Sequence, residues 1–114
     1  MVEITPETIN SLFLNLRSSD TTQNQSASNL LQEISKRPET IIAIFALLKT
    51  TTDITMRCHA FYTLALCFRN LVRQMDNNTF LLCRQTILEL LQNETDIRCI
   101  NSLFSVINTL YLES

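Results

Sequence analysis

Residues 61–75 read FYTLALCFRNLVRQM, and within them Phe61, Leu64, Ala65, Phe68, Leu71, Val72 and Met75 recur at steps of three and four. That spacing gathers apolar side chains on one side of an α-helix, whereas a half-buried strand would alternate. Leu66 and Cys67 add a second apolar flank. A helix apolar over so much of its girth sits between neighbours. The turn Thr50-Thr51-Thr52-Asp53 supplies a cap upstream, so the spacing predicts one long helix over about 54–75.

The same reading extends in both directions. Thr5 before Pro6 is a helix start, a hydroxyl cap followed by proline where its missing N–H costs nothing, and Ile9, Leu12, Phe13 and Leu16 form the stripe behind it. Asp20 caps a second helix, with Gln23 three residues on as in a capping box, and Ala27, Leu30, Leu31 and Ile34 repeat the stripe. Pro38 ends that helix and opens a third on Ile41, Ile44, Phe45 and Leu48, with Ala46 and Leu47 beside them. Downstream, Met75-Asp76-Asn77-Asn78 breaks the period. A fifth helix then points Phe80, Cys83, Ile87, Leu90 and Leu91 inward. After a turn at 93–96 a sixth runs over about 97–112 on Ile100, Leu103, Phe104, Ile107, Leu110 and Tyr111.

Six helices make three hairpins, over about 5–37, 38–75 and 78–112, within one domain spanning 1–114. Hairpin starts near Glu7, Glu39 and Thr79 are about 32 and 40 residues apart, the period of HEAT and armadillo repeats. The expected fold is all-α, an α-α superhelix of three HEAT/armadillo-like helical hairpins.

Composition excludes most chemistry. The chain has no glycine, where ordinary usage would supply roughly eight. Walker loops, dinucleotide-binding turns and the nucleophile elbow all need glycine, for positive φ or close approach of backbone to phosphate. The single histidine, His59, has no nucleophile set beside it, and no paired carboxylates share a predicted pocket, so the chain reads as no enzyme and as needing no cofactor. Cys58, Cys67, Cys83 and Cys99 lie inside apolar helical patterns with no CxxC pair, which reads as buried reduced thiols and no metal site. Asn24-Gln-Ser26, Asn77-Asn-Thr79 and Asn93-Glu-Thr95 match the glycosylation sequon, as an Asn- and Thr-rich chain does by chance.

The net charge of −2 supplies no general attraction to nucleic acid or anionic lipid, so neither is an expected partner. The first eight residues, MVEITPET, lack a basic and an apolar region, and the longest apolar stretch, 41–48, is too short to span a bilayer. A soluble, intracellular protein that acts by presenting surfaces is the expectation.

Several segments, in order, resemble the amino-terminal domain of the importin-β (karyopherin) family over essentially the whole chain. Ala27 and Leu31 match its A-x-x-x-L segment, and Arg37-Pro38 with the 41–48 run sits where the family has a proline and a Leu-rich helix. Met56-Arg57, Ala65 and Phe68-Arg69-Asn70-Leu71-Val72 resemble V-R … A … L-K-N-L-I. Residues 84–91, RQTILELL, are similar to R-x-x-L-L-x-x-L, while Ile97-Arg98 and Val106-Ile107 resemble the V-R … V-I-A ending. Arg57 and Asn70 stand about one helical turn further apart than in the family, no tryptophan follows the Asn70 segment, and the chain has three repeats where karyopherins have many.

The resemblance implies a nuclear transport receptor of cytoplasm and nucleus, acting in intracellular protein transport. Its first repeats would bind the small GTPase Ran in its GTP form, and further repeats, if present, would carry protein cargo. It puts the polar side of the fourth helix at the centre: Tyr62, Leu66, Arg69 and Arg73, with His59, Thr63, Asn70 and Gln74 on the adjoining strip. Arg69 takes the position of the family's lysine associated with Ran contact, and Asn70 either meets the partner or ties helix to helix. Asn29 and Glu33 on the second helix and Asn101, Ser105 and Asn108 on the sixth are the corresponding polar faces. The alternative expectation is a HEAT/armadillo-type scaffold that binds an unrelated protein or peptide.

Overall fold

The computed structural model describes residues 3–113 as six helices: α1 (Pro6–Leu16), α2 (Thr21–Ile34), α3 (Pro38–Thr50), α4 (Ile54–Leu71), α5 (Asn77–Asn93) and α6 (Ile97–Glu113). A 3-10 turn over Val72–Gln74 follows α4, and the described residues contain no strand. The all-α expectation therefore holds, with the helices paired in sequence order as α1 on α2, α3 on α4 and α5 on α6.

Local capping starts each helix where the sequence places it. Thr5 Oγ1 accepts the Thr8 N–H at 3.1 Å, with Pro6 at the first helical position. Asp20 accepts from the N–H groups of Thr22 and Gln23 at 2.9 and 3.1 Å. The reciprocal half of the expected capping box is absent. Ser18 Oγ takes the Asp20 N–H at 3.1 Å and donates onward to Gln23 Oε1 at 2.9 Å, so a hydroxyl in the preceding turn relays the contact. Asp53 and Asp76 cap α4 and α5 through Met56 N–H and Thr79 N–H. Both carboxyls lie below the usual aspartate range, chiefly because these N–H groups favour the ionised form.

The fourth helix ends sooner than the 54–75 its period predicts. Capping α5 requires extended backbone at Met75 and Asp76, with ψ of 140° and 166°, so α4 stops at Leu71 and tightens into the 3-10 turn closed by Met75 N–H on Val72 O. The apolar period continues through this change because Val72 stays buried.

Stacking between hairpins runs along two seams. α1 lies on α3, and α4 lies on α6 in the most extensive contact of the molecule. Ala60 and Cys67 on α4 and Cys99 on α6 are small and wholly buried, of the size that lets helix axes come close. The three wholly buried phenylalanines, Phe13, Phe61 and Phe68, lie on α1 and α4, and wholly buried Ile9, Ile44, Leu64, Ile87, Leu103 and Leu110 carry the core on through α3, α5 and α6. The Thr40 hydroxyl, also wholly buried, donates to Ile34 O at 2.6 Å and satisfies a carbonyl of the last turn of α2.

Two parts of the stack depart from a regular repeat. α2 packs on α1 rather than along α4, and α5 leans on α6. Between α3 and α5 a groove of about 640 Å³ remains, walled by Ile41, Ile42 and Phe45 on one side and Leu82, Cys83 and Thr86 on the other.

The sixth helix is turned from its expected orientation. Cys99, Leu103, Val106 and Leu110 form its buried stripe, while Phe104 and Tyr111 are about half exposed and Ile100 and Ile107 lie at the boundary. Two overlapping apolar stripes exist on this helix, and packing against α4 selects the one with the smaller residues. Ile97, Phe104 and Tyr111 are left on the outer side. Sedimentation at rising concentration is expected to show self-association through this patch, reduced by Phe104→Asp without loss of helicity. Strictly monomeric behaviour at high concentration would count against the patch as adhesive.

Among the described residues no helix is long and apolar enough to cross a membrane.

Candidate partner-binding face

α4 is buried on one half of its circumference, through Met56, Ala60, Phe61, Thr63, Leu64, Cys67, Phe68 and Leu71. The opposite half presents Thr55, Tyr62, Arg69 and, just past the helix, Arg73, with Leu66 partly covered. Tyr62 is 65% exposed, although an aromatic ring of this size ordinarily contributes to a core. The face thus combines an aromatic surface with two guanidinium groups at helical spacing, which suits a carboxylate-bearing protein surface.

The adjoining strip expected to be polar surface is instead an internal seam. The His59 ring stacks on Phe13 of α1, with centroids 5.7 Å apart and planes at 30°. Burial, followed by the positive charge of Arg17, lowers its pKa, while Asp53 opposes the shift. The neutral ring is the folded form, so its contribution to stability is complete above the ordinary histidine value and declines as pH falls through the lowered one. Thr63 is 1% exposed and donates its hydroxyl to His59 O at 2.8 Å. Period alone does not reveal this, because a Thr bonded to the carbonyl one turn back hides its polarity and packs as an apolar residue.

Asn70 belongs to the same seam. Its carboxamide N–H donates to Ser35 Oγ at 2.9 Å, and the wholly buried Ser35 donates its own hydroxyl to Gln32 O at 2.8 Å. This chain of bonds ties the end of α4 to the C-cap of α2, the helix-to-helix reading of Asn70. Gln74 faces elsewhere again, lining the α3/α5 groove with Met75 and Asp76.

The remaining residues are dispersed. Asn29 is exposed on α2 and accepts from Gln25 Nε2 at 3.1 Å, but α2 does not pack along α4, so Asn29 and the arginine face lie on separate elements. Asn101 is exposed on the outer side of α6 beside Phe104 and Asn108, opposite the buried stripe. Tyr62, Arg69 and Arg73 share one face; Asn70 lies behind it and Asn29 apart from it.

One charged constellation is visible only in three dimensions. Arg57 enters the α4 and α6 region and donates to Leu48 O at 3.0 Å, to Thr51 O at 3.2 Å and to the Glu94 carboxylate. The Arg57 and Glu94 side chains are 15% and 6% exposed, and the guanidinium also lies 5.7 Å from the Phe61 ring centroid. The ion pair clamps the α3–α4 turn to the α5–α6 turn. Its partners are 37 residues apart, which puts the pairing beyond any local rule. Among the described residues no three His, Cys, Asp or Glu side chains gather as a metal site.

The chain matches no protein-family model, no curated protein and no solved structure.

Proposed function

We propose that this chain is a non-enzymatic protein-binding module whose recognition face is the outward side of α4, and that its partner is the GTP form of Ran. The observation that carries the reading is the exposure of Tyr62, Arg69 and Arg73 together on one side of a helix whose other side is the core. The identity of the partner rests on the resemblance of Phe68-Arg69-Asn70-Leu71-Val72 to the karyopherin pattern. In such a receptor, shuttling between cytoplasm and nucleus, the module senses the nucleotide without touching it. A γ-phosphate orders the GTPase switch segments, and a rigid face that fits the ordered form gains affinity for that form alone.

Titration calorimetry against Ran loaded with a non-hydrolysable GTP analogue or with GDP tests the proposal. Binding is expected in the micromolar range for the small interface that three repeats offer, with preference for the GTP form. Arg69→Glu with Arg73→Glu should lower the affinity at least about tenfold at unchanged helicity, the cost of reversing charges against a carboxylate partner. Asn70→Ala should cost about 1–2 kcal/mol of stability, because Ser35 loses its donor, and leave affinity within about twofold. Equal binding of both nucleotide forms defeats the switch reading. Unchanged binding by the charge-reversed variant defeats the α4 face.

The α3/α5 groove favours a second reading, a scaffold for the apolar side of an unrelated peptide. Ile42, 72% exposed, and Leu82, 66% exposed, stand on its two walls. Loss of a partner on Ile42→Asp, with the α4 variant still binding, selects this reading.

A further inference from the structure

Steps of four, three, four and three residues place Ile97, Asn101, Phe104, Asn108 and Tyr111 in one narrow row along α6, opposite the buried row of Cys99, Leu103, Val106 and Leu110. All five outer residues are exposed, Ile97 at 66%, Phe104 at 51% and Tyr111 at 49%. A mean period of about 3.5 residues is that of a seam between two packed helices, and this row carries no charge.

The row also reads nearly the same in both directions. Phe104 stands at its centre, with Ile97 and Tyr111 at equal distances along the chain and Asn101 and Asn108 between. Such self-complementarity about one point is what a two-fold interface between identical chains requires, because each residue must meet its counterpart reciprocally.

We infer that this row is the interface of a symmetric dimer, in which a second copy of the chain lays its α6 antiparallel on the first with the two-fold axis at Phe104. The two Phe104 rings meet at the axis, and Ile97 of each copy meets Tyr111 of the other. Asn101 comes level with Asn108 of the other copy to within one residue's rise, about 1.5 Å. A carboxamide both donates and accepts, so these amides satisfy one another; among the described residues neither makes a side-chain hydrogen bond within its own chain.

Other alignments fit less well. A shifted antiparallel register sets Phe104 against Asn101 and uncovers Tyr111. A parallel pair aligns the helix dipoles and brings both Tyr111 rings to one end, each with the Arg84 guanidinium 6.0 Å from its centroid. The antiparallel pair keeps those rings and their guanidinium groups about 20 Å apart. Each half-exposed aromatic ring offers roughly 100 Å², so the row buries well below the about 800 Å² per partner of a standard interface, and the dimer is weak, with Kd on the order of 100 μM.

Sedimentation equilibrium of the whole chain and of variants at the exposed positions 101 and 108 tests the inference, with circular dichroism confirming helicity. The wild type is expected to show monomer and dimer with no larger species, since a two-fold contact closes on itself. Asn101→Glu with Asn108→Lys should tighten the dimer about fivefold, because each acid then faces a base of the other copy. Asn101→Glu with Asn108→Glu should abolish it, and mixing that variant with Asn101→Lys, Asn108→Lys should restore it as a heterodimer. Weakening or no change in the first variant, the outcome for a parallel pair or another face, would overturn the inference. So would dimerisation of the doubly acidic variant, growth beyond the dimer, or a wild type that stays monomeric at millimolar concentration.

Discussion

Arg57→Met is expected to destabilise the chain by about 3 kcal/mol or more, a large part of the 5–15 kcal/mol available to a domain of this size. Among the described residues Arg57 is the only side chain bonded to the Glu94 carboxylate, which otherwise accepts only the Asp96 N–H at 3.3 Å, and the Glu94 side chain is 6% exposed. Removing the guanidinium leaves that carboxylate in a poorly solvated site and also strips a donor from the carbonyls of Leu48 and Thr51. The effect is therefore mostly the penalty on what remains, not the worth of the pair. A double variant makes the distinction: Arg57→Met with Glu94→Leu should recover at least half of the loss, since an apolar pair avoids the stranded charge. Urea denaturation of the two single variants and the double variant measures both quantities. A loss below about 1 kcal/mol for Arg57→Met would mean that water already reaches Glu94 and that the clamp is a surface contact.

Phe68→Ala should cost about 3–5 kcal/mol and lower the thermal midpoint by roughly 15 °C. Its ring is wholly buried in the last full turn of α4, where α3 and α6 both lie against that helix. Alanine removes the transfer free energy of the ring and leaves a cavity that helices held on two sides relax only partly to fill. Phe68→Leu keeps most of the volume and is expected to cost about 1–2 kcal/mol. Because Arg69 and Arg73 flank this turn on its exposed side, the alanine variant should also weaken partner binding if α4 supplies the face, whereas the leucine variant should bind normally. A scan of both by differential calorimetry checks the stability difference. Near-equal midpoints would show that the site collapses and that the turn is not rigidly held.

Much of the fold is legible in the chain because helix formation is decided within one or two turns. Thr5-Pro6, Asp20, Asp53 and Asp76 satisfy N–H groups two or three residues away, and the stripes through Ile9, Ala27, Ile44 and Phe61 need only their own period to be read. The α4 end shows where this stops working. Val72 and Met75 continue the period, yet Asp76 must be extended to cap the next helix, and the cap prevails.

The partner face is legible in part for the same reason. Tyr62, Arg69 and Arg73 are polar or amphipathic positions on the side away from a strong apolar stripe, so their exposure follows from spacing. His59, Thr63 and Asn70 occupy an equally polar strip and are nevertheless wholly or partly buried, because α1 supplies a ring for His59, the end of α2 supplies a serine for Asn70, and Thr63 bonds the His59 carbonyl of its own helix. Polarity identifies groups that need partners; it does not say whether water or protein provides them.

Helix positions, caps and the class of fold were thus determined by the amino-acid sequence alone, since each depends on energies between residues three or four apart. Only the tertiary structure decided which apolar stripe of α6 turns inward, that α5 stands away from α3, and that Arg57 meets Glu94 and Asn70 meets Ser35. Those choices depend on how side-chain volumes fit between helices that are distant in the chain, and no local period encodes that fit.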